Sequence, residues 1–270
     1  MFEIEHASPR VGSVIRTTKK DMLAGTYAAD IQQLLVERSA LAFPDMHFTD
    51  EEQLEFAGTV GKVFTVGSED VQKISMDPKI NPVADYTRGA FYWHIDGAND
   101  EVPAKATMLS AKVLAEPGEG DTLVANTFAA YEDLPDEDKE LLAGMRARHC
   151  LEATGRMVHP DPSYALIQAW HTRPSRYHPV VWTHRSGHKS LLIGATAYYI
   201  EGMDVEEGRM LLCRLQEFAT QPQYVYRHKW QPGDFLLWDN TGTMHKADAY
   251  PLDSKRLMHR TTLHGEESIA

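Results

Sequence analysis

The chain has 270 residues, 43% hydrophobic and 24% charged, a composition that suits one globular domain with a sizeable core. Its 39 acidic and 27 basic residues give a formal net charge of -12, which argues against nucleic acid or an anionic membrane as a partner. No stretch approaches the roughly 20 apolar residues of a membrane span, and the first residues lack the pattern of a signal peptide. The two cysteines, Cys150 and Cys213, suggest no disulfide framework. We therefore expect a cytoplasmic protein.

The first third of the chain predicts strands and helices in alternation. An alternating strand, a helix with apolar residues at helical spacing and a short apolar strand are predicted at 2–6, 27–37 and 40–43. Thr49 followed by Glu52 is the pattern of a capping box. It predicts a second helix that continues to Gly61.

The rest of the chain consists mainly of short strand patterns. Strands are predicted at 71–75, 104–114, 122–124, 179–183, 191–195, 224–230, 235–238 and 257–264, and helices at 135–145 and 204–219. Residues 150–177 have weak periodicity, and we expect a long loop or active-site lid there. The pattern predicts a single domain over residues 1–270, a β-sandwich or jelly roll braced by helices.

Three residues are candidate metal ligands. His94 and Asp96 are separated by one residue, so in an extended segment both side chains point to the same face. His245 follows a predicted strand and is expected in or after a turn. Two imidazoles and one carboxylate leave three coordination positions open, as in non-haem Fe(II) oxygenases, whereas a structural zinc site has four protein ligands. On these residues alone, ordinary solvated histidines remain the alternative.

Two arginines follow the candidate metal ligand His245 in the sequence. Arg256 and Arg260 lie four residues apart in a predicted strand and are expected on the same side. A buried guanidinium pairs best with a carboxylate, so each arginine could bind a separate carboxylate ligand. A solvated face, or internal salt bridges with Asp248 and Asp253, is the alternative.

Nearly the whole chain resembles the taurine dioxygenase / chlorophenoxyacetate dioxygenase (TauD/TfdA-type) family. The resemblance is strongest at WHIDG with the following GEGDTLVAN, and from HPVVWTHRSGHKSLL to WQPGDFLLWDNTGTMHKADAYPLDSKRLMHRTTLHG. It implies a mainly β fold with flanking helices, the double-stranded β-helix (jelly roll, cupin-like). It also implies Fe(II), 2-oxoglutarate as co-substrate and O2, a small-molecule substrate, and a homo-oligomer, which is common in the family.

The resemblance also assigns residues. The iron ligands fall on His94, Asp96 and His245. Thr122 and Arg256 match the residues that bind the distal carboxylate of 2-oxoglutarate, and Arg260 matches an arginine that binds the acidic group of the prime substrate. The implied reaction hydroxylates a small organic substrate, with cleavage of the product where the hydroxylated carbon bears a leaving group.

Departures from the family pattern bear on the substrate. Taurine-specific members carry a histidine where this chain has residues 63–67, which contain none. Residues 88–92 also differ, and Trp182 stands where an arginine is common. These differences favour an acidic substrate that is larger or more apolar than taurine. Its candidate walls are Phe91 and Tyr92, with Tyr164, Trp170 and Tyr177 of the expected lid.

The candidate site residues are also compatible with two other functions. One is a zinc-dependent hydrolase that uses His94 and His245 on a jelly-roll fold. The other is a non-catalytic jelly-roll binding module that keeps a relic site.

Overall fold

The computed structural model describes residues 2–65 and 69–269. Its strands are β1 (Glu3–His6), β2 (Ser13–Arg16), β3 (Ala40–Phe43), β4 (Val63–Phe64), β5 (Gln72–Ile74), β6 (Ala106–Val113), β7 (Thr122–Asn126), β8 (Arg146–Cys150), β9 (Ser175–Pro179), β10 (Val181–Thr183), β11 (Lys189–Leu191), β12 (Ala197–Ile200), β13 (Val225–His228), β14 (Phe235–Asp239), β15 (Thr243–Ala247) and β16 (Leu257–Leu263). Its helices are α1 (Lys19–Leu23), α2 (Ala28–Arg38), α3 (Asp50–Val60), α4 (Ala84–Thr87), α5 (Thr127–Glu132), α6 (Asp136–Leu142), α7 (Leu151–Val158), α8 (Tyr164–His171) and α9 (Val205–Ala219), with 3₁₀ turns at Arg88–Phe91 and Pro222–Tyr224.

The strands form a jelly roll. The large sheet runs in the order β1-β2-β3-β14-β6-β16-β4, with β5 also paired to β16. A second sheet, β13-β7-β15, packs against it through a shared apolar cluster. All strand pairs of these two sheets are antiparallel except β2 with β3.

Strand β14 shows why the large sheet is apolar on both faces. Phe235 and Leu237 pack toward helices α2 and α3, whereas Leu236 and Trp238 pack toward the second sheet. Successive side chains of a strand point to opposite faces, so a strand covered on both sides is an unbroken apolar run. Each such buried side chain stabilises the fold by roughly 1.5–3 kcal/mol.

Most of the predicted elements are confirmed. The Thr49 hydroxyl accepts a hydrogen bond from Glu52 N while the Glu52 carboxylate accepts one from Thr49 N, so the capping box begins α3 as predicted. Asp204 caps α9 in a similar way, accepting from Glu206 N and Glu207 N. Within the part of the chain that the structure describes, no helix combines the length and apolar character needed to cross a membrane.

The prediction of a long loop at 150–177 is wrong. Helices α7 and α8 occupy most of this segment. Gly155 of α7 permits their close approach, because a Cβ at that position would lie 2.5 Å from the Trp170 ring. Residues 151–171 therefore contain a packed pair of helices, and β9 begins shortly after them at Ser175.

Candidate active site

The backbones of His94 and His245 are joined in an isolated antiparallel bridge. His94 N donates to His245 O at 3.0 Å, and His245 N donates to His94 O at 2.8 Å. The two imidazole centroids lie 4.1 Å apart. His245 lies within β15, opposite Val124 of β7, and comes after the bend at 240–242 that connects β14 to β15, which agrees with the expectation of a position in or after a turn. Pairing with β7 is a long-range contact that local sequence does not reveal.

The Asp96 carboxylate lies between the two imidazoles. Its Oδ1 is 3.7 Å from His94 Nε2, and its Oδ2 is 3.7 Å from His245 Nε2. One ligand atom from each residue lies within 4.8 Å of the other two. Within residues 2–65 and 69–269, no other histidine, cysteine, aspartate or glutamate joins this group. The set fits one divalent ion with open coordination positions, and it differs from the closed set of a structural zinc site.

Hydrogen bonding and burial favour the ionisation states that metal binding requires. His94 Nδ1 lies 2.8 Å from the carbonyl oxygen of Tyr92, so Nδ1 donates and Nε2 keeps its lone pair. Burial, reinforced by the neighbouring His94, lowers the pKa of His245 to about 3, which keeps this imidazole neutral. Burial opposes ionisation of Asp96, but the nearby Arg260 guanidinium and the hydrogen bond from Thr107 hold its pKa below the ordinary value.

A chain of hydrogen bonds orients the Asp96 carboxylate. Thr107 Oγ1 donates to Asp96 Oδ2 at 2.9 Å and accepts from Asn240 Nδ2 at 2.8 Å. Asn240 Oδ1 accepts from Trp238 Nε1 at 3.0 Å. Because an indole N–H can only donate, it fixes the Asn240 amide orientation and the direction of the chain. No local sequence pattern marks Thr107 or Asn240, because they are brought together only by the register that pairs Trp238 with Thr107.

Arg256 is a buried cation. Its side chain packs over the Tyr250 ring, 5.0 Å from the centroid, and its Nη2 donates to Gly120 O at 3.0 Å. Gly120 has a φ of +69°, and a Cβ there would lie 2.8 Å from Arg256 Nε, so glycine is needed for the approach. Burial lowers the pKa of Arg256. Among the described residues no carboxylate lies within ion-pair distance of this guanidinium, a situation that favours an anionic ligand.

Thr122 lies at the start of β7 and is also buried. Its backbone is held between two strands, opposite His228 of β13 and Ala247 of β15. Its hydroxyl oxygen accepts a hydrogen bond from Trp230 Nε1 at 3.1 Å. The side chain borders the same cavity as Arg256.

Arg260 lies on β16 beside Asp96. Its Nη1 is 3.6 Å from Asp96 Oδ1, and its Nε donates to Gln72 Oε1 at 3.0 Å. Gln72 is the residue opposite Arg260 in the pairing of β5 with β16, which explains the contact. The sequence offered no signal for Gln72. Neither Arg256 nor Arg260 forms the alternative salt bridge to Asp248 or Asp253. Asp248 pairs instead with Arg227 and Lys246.

One cavity of about 680 Å³ joins these groups. Its lining includes two of the three metal-site residues and the three predicted ligand-binding residues, namely His94, His245, Thr122, Arg256 and Arg260. Arg256 and Arg260 thus face one space, as their spacing predicted, although a register shift between Leu257 and Met258 separates them.

The aromatic residues proposed as walls lie elsewhere. Phe91 packs edge-on against Tyr250, which does line the cavity, with ring centroids 5.2 Å apart. Tyr92 donates its hydroxyl to Met157 O at 2.9 Å. Neither Phe91 nor Tyr92 belongs to the described lining, and neither do the three aromatic residues of the expected lid, Tyr164, Trp170 and Tyr177.

The apolar wall comes instead from the segment before the metal site. Ile80, Val83 and Tyr86 line the cavity and are 39%, 58% and 50% exposed. Large apolar side chains that border a cavity and remain exposed are typical of a ligand-binding surface. Of the segment 63–67, which lacks a histidine, Val66 and Gly67 lie outside the described residues.

A comparison with protein-family models matches residues 3–262 to "Taurine catabolism dioxygenase TauD, TfdA family". The chain is 34% identical to the alpha-ketoglutarate-dependent 2,4-dichlorophenoxyacetate dioxygenase of Burkholderia sp. (strain RASC), over 94% of this chain and 91% of that protein. It is 32% identical to the (S)-phenoxypropionate/alpha-ketoglutarate-dioxygenase of Sphingobium herbicidovorans, over 98% and 96% of the two chains. It is 31% identical to the alpha-ketoglutarate-dependent sulfate ester dioxygenase of Pseudomonas putida, over 99% and 91%.

Solved structures show the same similarity. The crystal structure of AAD-2 in complex with Mn(II) and N-oxalylglycine superposes with a TM-score of 0.84 at 29% identity and covers 100% of both chains. A putative alpha-ketoglutarate dependent 2,4-D dioxygenase from Burkholderia xenovorans superposes with a TM-score of 0.80 at 27% identity and covers 98% of both chains.

Proposed function

The chain belongs to the TauD/TfdA family of Fe(II)- and 2-oxoglutarate-dependent dioxygenases, and from that membership we propose that His94, Asp96 and His245 hold its iron. The observation that carries the proposal is the convergence of their ligand atoms within 4.8 Å beside a cavity that also contains a buried cation, Arg256. The donor set fits Fe(II), since two neutral imidazoles and one carboxylate leave positions for a chelating 2-oxo acid and O2. Membership of this dioxygenase family argues against the two alternatives, a zinc hydrolase and a non-catalytic binding module.

The residues of this chain bind, orient and shield the reactants. When bound, Fe(II) supplies the chemistry that couples decarboxylation of 2-oxoglutarate to succinate and CO2 with transfer of one oxygen atom from O2 to a substrate C–H bond. The Tyr92 carbonyl orients His94, and the Thr107 hydroxyl orients Asp96. These contacts fix the ligands before the reactants arrive.

Arg256 and Thr122 are proposed to bind the distal carboxylate of 2-oxoglutarate. A buried guanidinium with an anion beside it makes charge-assisted hydrogen bonds, which are about twice as strong as neutral ones. The Thr122 hydroxyl borders the same space and can donate to that carboxylate. Burial of both residues excludes water from the contact.

The substrate is proposed to be a small organic acid with an apolar or aromatic body. Arg260 supplies a cation beside the metal site, while Ile80, Val83 and Tyr86 offer apolar surface. Relatives whose names specify phenoxyacetates, phenoxypropionates or sulfate esters act on molecules of this kind. Hydroxylation beside an ether or ester oxygen would release the two halves of such a substrate.

Helices α7 and α8 are proposed to act as the cover of the active site within a single domain. Thr154 of α7 lines the cavity, and the backbone of Met157 accepts the Tyr92 hydroxyl. Because Trp170 packs against Gly155, we expect the two helices to move as one body.

An anaerobic titration tests the metal site. Adding Fe(II) and 2-oxoglutarate to the wild-type protein should produce the weak visible band of the chelated iron, and His94→Ala should abolish it. The matched control is His188→Ala, which removes an exposed histidine outside the cavity lining and should keep the band. A full band in His94→Ala would remove His94 from the ligand set.

A succinate-release screen tests the substrate class. It would compare aryloxyalkanoates, sulfate esters and sulfonates with alcohols of the same carbon skeleton. Turnover that is equal for acids and alcohols would contradict an acid-binding site at Arg260.

A further inference from the structure

The Thr122 hydroxyl is held from behind by a tryptophan. Trp230 Nε1 donates to Thr122 Oγ1 at 3.1 Å, and both side chains are buried, 8% and 3% exposed. Thr122 lines the cavity, whereas Trp230 lies outside its lining. The indole therefore reaches the cavity only through the hydroxyl.

The hydrogen-bonding capacity of the two groups sets a direction. An indole N–H can only donate, so the Thr122 oxygen is the acceptor in this bond. A threonine hydroxyl has one proton to donate, and among the described residues no protein acceptor takes it. With one lone pair engaged by Trp230, that proton is left for whatever occupies the cavity.

Trp230 is itself fixed in place. It precedes a turn in which Asp234 N donates to Gln231 O at 3.1 Å. The His228 ring packs edge-on against the indole, with centroids 4.4 Å apart and planes at 89°. His228 Nε2 lies 3.1 Å from Asp234 Oδ2, so a buried histidine–aspartate contact supports the indole. The tryptophan thus has little freedom to turn its N–H away.

We propose that Trp230 is a positioning residue for the co-substrate, which orients the Thr122 hydroxyl as a donor to the distal carboxylate of 2-oxoglutarate. The proposal rests on the proposed function, in which Thr122 and Arg256 bind that carboxylate. An acceptor bond to the hydroxyl oxygen also polarises its O–H, because hydrogen bonds in a chain strengthen one another. Trp230 then contributes to affinity and to the choice of 2-oxo acid without touching the ligand.

The test compares two 2-oxo acids in Trp230→Phe, which keeps an aromatic ring and removes the N–H. Binding is measured anaerobically on Fe(II)-loaded enzyme by the visible band, with 2-oxoglutarate and with 2-oxopentanoate, which has the same chain length without the distal carboxylate. Loss of one neutral hydrogen bond should raise the Kd for 2-oxoglutarate roughly 2- to 10-fold. The Kd for 2-oxopentanoate should stay the same.

Two further variants make the result specific. Trp182→Phe removes a buried indole whose N–H has no hydrogen-bond partner among the described residues and which lies outside the cavity lining, so it should change neither Kd. Thr122→Val should weaken 2-oxoglutarate binding, and adding Trp230→Phe to it should have no further effect. If Trp230→Phe raises the Kd for 2-oxoglutarate by the same factor in the wild type and in Thr122→Val, Trp230 acts through packing, and the proposal is overturned.

These measurements distinguish a wrong assignment of the carboxylate site from a wrong role for Trp230. If wild-type enzyme binds both 2-oxo acids equally and Thr122→Val has no effect, the carboxylate site itself is misassigned. If Thr122→Val weakens 2-oxoglutarate binding but Trp230→Phe does not, only the positioning by Trp230 is wrong. In a Zn(II)-loaded sample of Thr122→Val, one indole N–H proton resonance should move upfield, which tests the contact even if Trp230→Phe does not fold.

Discussion

Arg260 Nη1 lies 3.6 Å from Asp96 Oδ1, so the cation proposed to bind the substrate also faces a proposed iron ligand. Gln72 Oε1 accepts from Arg260 Nε at 3.0 Å and holds the guanidinium in this position. A carboxylate whose charge is taken up by a divalent ion needs the guanidinium less. Arg260 can then serve an anionic substrate without weakening the metal site.

Arg260→Ala should therefore impair the use of an acidic substrate and leave iron binding intact. Loss of a charge-assisted contact predicts a roughly 10- to 100-fold lower kcat/KM for that substrate. Iron content and substrate-free decarboxylation of 2-oxoglutarate should be retained. Arg185→Ala, which removes an exposed arginine, is the control. Equal damage to both reactions would assign Arg260 to the structure of the site or to the co-substrate.

Thr107→Val should weaken iron binding although Thr107 is not a ligand. It removes the hydroxyl that donates to Asp96 Oδ2 and leaves Asn240 Nδ2 without its acceptor. Loss of such an orienting contact typically costs about 10- to 100-fold in metal affinity. A competitive chelator titration under anaerobic conditions measures it, and Thr107→Ser, which keeps a hydroxyl, should recover most of the affinity. Unchanged affinity in the valine variant would show that Asp96 is oriented by other contacts.

Arg256→Ala should raise the apparent requirement for 2-oxoglutarate by about 100-fold or more, because the ligand's buried charge loses its partner. Steady-state succinate production at varied 2-oxoglutarate concentration measures the change. Arg256→Lys keeps the charge but loses the planar fork, so it should fall between wild type and alanine. An unaltered dependence in Arg256→Ala would place the distal carboxylate elsewhere.

The buried carboxyl of Asp239 should make the free energy of unfolding depend on pH, independently of catalysis. Burial raises its pKa from 3.8 to about 6, although hydrogen bonds from Thr241 oppose the shift. The folded state therefore holds this proton more tightly than the unfolded state, and the stabilisation present at low pH is lost as pH rises through about 6. The side chain of Asp239→Asn stays neutral at both pH values. The free energy of unfolding of this variant, relative to that of the wild type, should therefore increase by about 1 kcal/mol from pH 5 to pH 8. Urea unfolding at the two pH values measures it, and an equal difference at both would show that the carboxyl is not perturbed.

The sequence was sufficient where a short local rule decides the geometry. The spacing of His94 and Asp96 implies a shared face, and the structure brings their side chains to 3.7 Å. The capping box at Thr49 likewise predicts the start of α3. The jelly roll followed from the order of short strands together with the family resemblance.

Local rules failed where distant segments decide the structure. Helices α7 and α8 are short and weakly periodic, and the contact between Gly155 and Trp170 that joins them is tertiary. The hydrogen bond between Thr107 and Asn240 links residues 133 positions apart, and only the sheet register reveals it. The substrate wall was assigned to Phe91 and Tyr92, but the exposed apolar lining belongs to Ile80, Val83 and Tyr86.

The reciprocal backbone bonds between His94 and His245 have a consequence for handling the protein. Two ligands from distant parts of the chain are already held together by main-chain contacts, so assembly of the centre does not wait for an ion. Chelation should then strip the metal and leave a folded protein, and adding Fe(II) back should restore activity without a refolding step. In this respect the enzyme contrasts with small zinc domains, whose polypeptide unfolds when the ion is removed.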